Sequence, residues 1–198
     1  MPMNMKRMGV DLYSLSGHKI HGPKGVGALA LAGNARVQCI AFGGGQENGL
    51  RSGTENVPGI AGLGQAVRSY AKLGDTAPHM LACKQRLAQR VLETIPGAHV
   101  NGDLAHGAAH ILNITFPTKG EVLLHALEEK GIYVSTGSAC SAHKKGKNRI
   151  LNAMGVVGDR QEGAIRFSLS MFNTIEEMDI AAEEIAAQLA FLRRFKRR

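Results

Sequence analysis

The sequence predicts an α/β protein in two unequal parts, residues 1–75 and 76–198. Three observations carry that reading. From residue 110 onward, apolar stretches alternate between strand and helix periodicity in the order β-α-β-α-β-α, the pattern of a sheet backed by helices. The first 75 residues hold only two or three strands and one helix between conspicuous loops, too little to close a doubly wound domain. A hydrophobic content of 44% and a charged content of 20% over 198 residues suit compact globular folding rather than disorder.

The elements follow in order. Residues 10–15 alternate apolar and polar as a strand does. The run Ser16-Gly17-His18-Lys19-Ile20-His21-Gly22-Pro23-Lys24-Gly25 is turn chemistry. Residues 26–31 read as a second, largely buried strand, residues 33–36 as a turn, and residues 37–42 as a short strand that places Cys39 among apolar neighbours. Gly43-Gly44-Gly45 through Thr54 is a loop. Pro58 suits the first turn of a helix whose face carries Ile60, Leu63, Gly64, Val67 and Ala71 and which ends near Gly74. A long helix runs from about Ala77 to Ile95, with Leu81, Leu87, Val91 and Ile95 at helical spacing and Pro96-Gly97 as its stop.

Strands are then expected at 110–116, 132–135 and 164–169, and helices at 120–130 and 150–154. Thr174 caps a final helix with Glu176 and Glu177 in its first turn and basic residues at its end, as the helix dipole favours. No internal repeat is visible.

The net charge is +8, and it is local. The tail Arg193, Arg194, Lys196, Arg197 and Arg198 and the stretch Lys144, Lys145, Lys147 and Arg149 account for it, and the remainder is near neutral. A nucleic-acid binder shows a broader basic stripe and a recognisable motif, so no nucleic-acid partner is expected. No apolar run reaches the length of a membrane helix, and no membrane partner or secretory signal is expected. Three cysteines, Cys39, Cys83 and Cys140, form no disulfide framework, which points to a reducing, cytoplasmic setting.

Four places hold chemistry. Lys19, at a strand end beside Ser16, Gly17 and His18, suits a pyridoxal 5'-phosphate (PLP) site: an amine for the cofactor's aldehyde, short donors for its phosphate, and glycine for close approach. The plainer alternative is a surface turn with a solvated lysine. Gly22 to Gly27 fits neither a Walker loop nor a dinucleotide fingerprint, because no Gly-Lys-Ser/Thr closes it and a strand follows. Arg51-Ser52-Gly53-Thr54 suits an anion such as phosphate, or serves as a polar loop in which Thr54 or Asn56 caps the next helix.

Cys140 lies among small residues with Lys144, Lys145, Lys147 and Arg149 close behind, an environment that favours the thiolate and suits a nucleophile. His143 adds neither a protease pair nor a metal site, since further ligands at tight spacing are missing. No metal is expected. Cys39 and Cys83 read as small structural residues, and His99, His106, His110 and His125 as ordinary surface or core residues. Arg166, inside the apolar strand Ile165-Arg166-Phe167, is at an edge, paired with a protein carboxylate, or available to a carboxylate ligand.

Read together, Asp11-Leu12-Tyr13-Ser14-Leu15-Ser16-Gly17-His18-Lys19-Ile20-His21-Gly22-Pro23-Lys24-Gly25, Gly43-Gly44-Gly45-Gln46-Glu47, Arg51-Ser52-Gly53-Thr54-Glu55-Asn56, Ser135-Thr136-Gly137-Ser138-Ala139-Cys140 and Ile165-Arg166-Phe167-Ser168-Leu169 resemble the PLP-dependent cysteine desulfurases of the class-V aminotransferase group. The resemblance covers nearly the whole chain. It implies the C-terminal part of the aspartate aminotransferase-like PLP-transferase fold: residues 1–75 as a remnant of the large PLP-binding domain, and 76–198 as a complete α+β small domain bearing the catalytic cysteine loop. It implies that Lys19 joins PLP covalently, that Ser16 and His18 hold its phosphate, and that Thr54 reaches the phosphate of a neighbouring subunit in a homodimer. It implies Cys140 as the nucleophile that takes sulfur from L-cysteine as a persulfide, leaving L-alanine, and Arg166 as the partner of the substrate carboxylate. Thr136 stands where the family's longer-loop branch has serine.

Family members are about twice this length, and about ten residues precede the Asp11 strand. The expectation is therefore a truncated or split member that lacks the family's ring-binding residues. It would leave sheet edges unpaired and helix faces uncovered, bind PLP weakly or not at all on its own, and need a complementing N-terminal half and a sulfur-acceptor protein. Selenocysteine lyases share these motifs. Outside catalysis, the alternatives are an inactive fragment or a basic binding module.

Overall fold

The computed structural model describes residues 4–72, 76–137 and 148–195. They form two compact units, residues 1–75 and 76–198.

The first unit opens with a short helix, α1 (Met5–Met8), capped by Asn4, whose side chain accepts from the Arg7 N–H. Strands β1 (Leu12–Ser16) and β2 (Gly27–Leu31) pair antiparallel, Leu12 opposite Leu31 and Ser16 opposite Gly27. A 3₁₀ turn over Gly17–Ile20 begins the connection between them. Helix α2 spans Val57–Lys72, with Pro58 in its first turn as expected. Its cap is Asn56, whose Oδ1 accepts from the Gly59 N–H at 3.1 Å; this decides between Thr54 and Asn56.

Two expectations fail here. β2 is not buried: Leu29 is 50% exposed and Leu31 is exposed beside it. Residues 37–42 form no strand, so Cys39 sits in irregular backbone, its thiol donating to the Ala41 carbonyl at 3.2 Å. Ile40 and Phe42 are 91% and 85% exposed. A strand is defined by its ladder, and no neighbouring strand offers this segment one.

The second unit is built around a three-stranded antiparallel sheet ordered β3 (His99–Val100), β4 (Ile111–Thr115), β5 (Ala164–Ser168). Helices α3 (Ala77–Thr94), α4 (Gly120–Glu128) and α7 (Ile175–Phe195) pack on it. Alternation along the strands sends Leu112, Ile114, Ile165 and Phe167 into a core shared with Leu87, Val91, Leu123 and Ile185. Short helices α5 (Arg149–Ala153) and α6 (Asp159–Glu162) precede β5. The sequence pattern gave no sign of β3 or α6.

The final helix starts in a reciprocal capping box: Thr174 Oγ1 accepts from the Glu177 N–H at 3.2 Å, and Glu177 Oε2 from the Thr174 N–H at 3.1 Å. A two-pronged Arg86–Asp179 pair, at 2.8 and 3.0 Å, ties α3 to α7. Lys84 is buried, its ammonium donating to the carbonyls of Asp103 and Ala108 at 3.4 and 3.2 Å, and burial lowers its pKa.

The strand expected at 132–135 shrinks to one bridge, Ser135 with Arg166. The preceding helix takes the Ile132 N–H. Gly131, at φ +75°, ends α4 in a Schellman motif in which Ile132 N–H bonds Leu127 O at 3.0 Å and Gly131 N–H bonds Glu128 O at 3.0 Å.

Candidate functional site

In the first unit the lysine turn is built by its glycines. Gly17 is buried; its N–H donates to Val26 O at 2.8 Å and its carbonyl accepts from the Gly22 N–H at 2.9 Å. A Cβ on Gly17 would stand 3.1 Å from Val26 O and Pro23 O, and one on Gly27 would run into Leu15 O. The turn is pressed against α2: a Cβ on Gly62 would meet Pro23 Cγ at 2.5 Å, and one on Gly22 would meet Ala66 Cβ at 3.2 Å. His21 completes it in the left-handed region, at φ +63°. The small residues Gly62 and Ala66 on α2 were the sequence signal for this close approach, and the element reading passed over them.

Ser16, His18 and Lys19 project from this braced turn. His18 and Lys19 are exposed, and none of the three side chains hydrogen-bonds to another described residue. An amine, an imidazole and a hydroxyl within four residues, unused by the unit itself, fit an aldehyde that also carries a phosphate, which is the chemistry of PLP. Thr54 lies in a loop held by its own groups: Gly53 N–H donates to Gln46 Oε1 at 3.0 Å, Gly45 N–H to Ser52 Oγ at 3.4 Å, and Arg51 Nη1 to Gly53 O at 3.4 Å. Thr54 itself is exposed.

In the second unit Arg166 sits on β5 opposite Asn113, on the sheet face away from the helical core. Of the three roles open to it, pairing with a protein carboxylate is not seen among the described residues. Its Nε is buried and has no hydrogen-bond partner among them. A buried guanidinium N–H without an acceptor is costly, so this position is suited to a carboxylate that comes from outside. On its other edge Arg166 exchanges backbone hydrogen bonds with Ser135, at 2.6 and 3.1 Å.

Cys140, with Lys144, Lys145 and Lys147, lies outside the described residues. Cys83 is buried in α3; burial first, and then the Glu177 and Glu176 carboxylates, push its thiol pKa up, which suits a structural residue. His106 and His125 are surface groups beside Asp103 and Glu128. Among the described residues no helix is long and apolar enough to cross a membrane.

The family model described as Aminotransferase class-V matches residues 1–180. A cysteine desulfurase IscS of Methanosarcina thermophila is 40% identical over 186 residues, 93% of this chain and 46% of that protein. A cysteine desulfurase of Nostoc sp. is 40% identical over 200 residues, 98% of this chain and 50% of that protein. Among solved structures, a NifS-like protein superimposes with a TM-score of 0.84 at 37% identity, covering 96% of this chain and 49% of the other. A NifS-like protein from Rickettsia africae gives 0.79 at 31% identity, covering 93% and 49%. The chain spans about half the length of the curated relatives it matches.

Proposed function

The chain belongs to the class-V aminotransferase family, a PLP-dependent family, and we propose that it carries the lysine and cysteine half of a cysteine desulfurase. The single observation behind the reading is the Lys19 turn: a glycine-locked platform that presents an amine, an imidazole and a hydroxyl with no internal use for them. Residues 1–75 then belong to the cofactor-binding domain, and 76–198 form the domain that bears the sulfur-accepting cysteine. The rest of the cofactor domain comes from the remaining half of the fold, in one polypeptide or two. The exposed Leu12, Leu29, Val57 and Val67 of the first unit suit such a neighbour.

Lys19 would hold PLP through its aldehyde, and Ser16 and His18 would hold its phosphate. When bound, PLP supplies an electron sink for the bonds at the substrate's α-carbon. Arg166 takes the carboxylate of L-cysteine with its free N–H, fixing the substrate's orientation. The Cys140 thiolate forms an S–S bond to the substrate sulfur. The substrate's carbon–sulfur bond breaks with its electron pair left on carbon, which takes up a proton and departs in L-alanine. Sulfur is oxidised as carbon is reduced, so no external oxidant is needed. The persulfide on Cys140 is reversible and passes to an acceptor protein in a reducing cytoplasm. In a homodimer, Thr54 reaches the neighbouring subunit's phosphate.

Borohydride trapping tests the cofactor assignment. Incubation with PLP and the complementing half, reduction and peptide mapping should place the phosphopyridoxyl group on Lys19, and Lys19→Ala should abolish it. Labelling scattered over surface lysines, unchanged by Lys19→Ala, would overturn the assignment. Adding L-cysteine in the presence of the complementing half should then place a persulfide on Cys140 and on neither Cys39 nor Cys83.

A further inference from the structure

The sheet face turned away from the helical core carries a polar row: Asn101 just past β3, Asn113 on β4 and Arg166 on β5. Leu169 N–H bonds His110 O and Phe116 N–H bonds Gly163 O, both at 2.9 Å, so the ladder bonds between β4 and β5 fall on the even positions of β4. Asn113 and Arg166 therefore stand opposite one another with no ladder bond between them, the arrangement that brings opposed side chains closest. The Arg166 backbone spends its own bonds on Ser135, at its other edge.

The Asn113 amide has one orientation, and a chain of donors sets it. Arg160 Nη2 donates to Asn101 Oδ1 at 2.9 Å. A guanidinium only donates, so Asn101 must turn its oxygen to Arg160 and its Nδ2 to β4. That Nδ2 donates to Asn113 Oδ1 at 2.7 Å and to Thr115 Oγ1 at 2.8 Å, and the Thr115 hydroxyl donates to Arg160 O at 2.7 Å. Asn101 and Thr115 are buried, and such a linked set of satisfied groups resists rearrangement. Turning the Asn113 amide over would set donor against donor at Asn101. Asn113 Nδ2 is thus left with no acceptor among the described residues, across from an arginine whose buried Nε has none either.

We infer that Asn113 is a second donor to the carboxylate that Arg166 binds, a specificity-determining residue for the α-carboxylate of the substrate. The inference rests on the reading of Arg166 as the substrate's carboxylate partner. Two neighbouring donor groups without an internal acceptor suit an anion with two oxygens, one for the guanidinium and one for the amide. Arg160 and Asn101 act through Asn113, as positioning residues that keep its N–H groups rather than its oxygen presented to the ligand.

The probe is L-alanine, which carries the carboxylate and no sulfur, bound to the full chain with PLP and the complementing half. Asn113→Ala should weaken its binding by on the order of tenfold, the worth of a hydrogen bond to a charged group. Asn113→Asp keeps an oxygen for Asn101 Nδ2 and loses the donors. It serves if the alanine variant unfolds, and it should weaken L-alanine at least as much. In the unmutated chain the Asn113 side-chain amide protons should shift in the NMR spectrum as L-alanine saturates, while those of Asn101, which are spent on β4, should stay. Asn113→Asp that binds L-alanine as the unmutated chain does, or Asn113 protons that do not move, overturns the donor role while Arg166→Ala still weakens binding. L-alanine binding that is absent, or that survives Arg166→Ala unchanged, overturns the reading of Arg166 itself.

Discussion

The two units treat their apolar residues in opposite ways. In the second, the helical stripes of α3, α4 and α7 and the inward faces of β4 and β5 close on one another, and Cys83, Val91, Ile114, Leu123, Leu127 and Ile185 are fully buried. In the first, Leu63 is the only large apolar side chain among the described residues that is buried, and it keeps 8% exposure, while Leu12, Leu29, Ile40, Phe42, Val57, Val67 and Tyr70 face outward. A two-stranded ribbon with one helix has too few layers to bury both faces. The first unit therefore buries little apolar surface within itself, whereas the second closes its own core.

The sharpest way to break this comparison is a pair of leucine truncations. Leu87→Ala removes a fully buried side chain from the core and should cost about 2–5 kcal/mol in urea unfolding of the second unit. Leu29→Ala, on an exposed strand, should stay within about 0.5 kcal/mol until the complementing half is added. A large loss for Leu29→Ala in the chain alone would show that the first unit closes a core by itself.

A smaller effect separates the helix caps. Thr174→Ala breaks the capping box of α7 and should cost about 1 kcal/mol in the cooperative melting of the second unit. Asn56→Ala removes the corresponding cap of α2, and its loss should appear as faster amide exchange at the start of that helix with no shift in the second unit's transition.

The smallest effect lies in acid. Asp103 accepts from the backbone and ring of His106 and the backbone N–H of Ala105, which hold its carboxyl down at about 2. A carboxylate whose pKa is lower folded than unfolded adds stability above its unfolded pKa. That contribution is lost as the pH falls through its folded value, here between about 4 and about 2. Asp103→Asn should lower the second unit's stability at neutral pH and leave it unchanged below about 2, which flattens this part of the acid-unfolding curve.

What was legible in the sequence had local causes. Pro58, Thr174 with Glu177, and Pro96-Gly97 placed helix ends, because capping and proline geometry act within one turn of chain. The alternation of β4 and β5 showed their buried face, because side-chain direction in a strand is fixed by the backbone. The candidate site was legible where chemistry crowds into a few residues, as in Ser16 to Lys19, and where an arginine interrupts an apolar strand, as at Arg166. Asn113 was not, since an asparagine in a strand carries no local sign of how a neighbour twelve residues away will turn its amide.

By itself, the sequence determined the longer helices α2, α3, α4 and α7, the cap of α7 and the motifs that resemble a desulfurase. Only the tertiary structure decided that residues 37–42 remain irregular, that Ser135 pairs with Arg166 through a single bridge, and that the Arg166 Nε is left without an acceptor among the described residues. The reason is the range of the forces. Caps and turns are satisfied within a few residues, whereas a ladder, a close glycine contact or an orphaned N–H depends on which distant backbone arrives beside it.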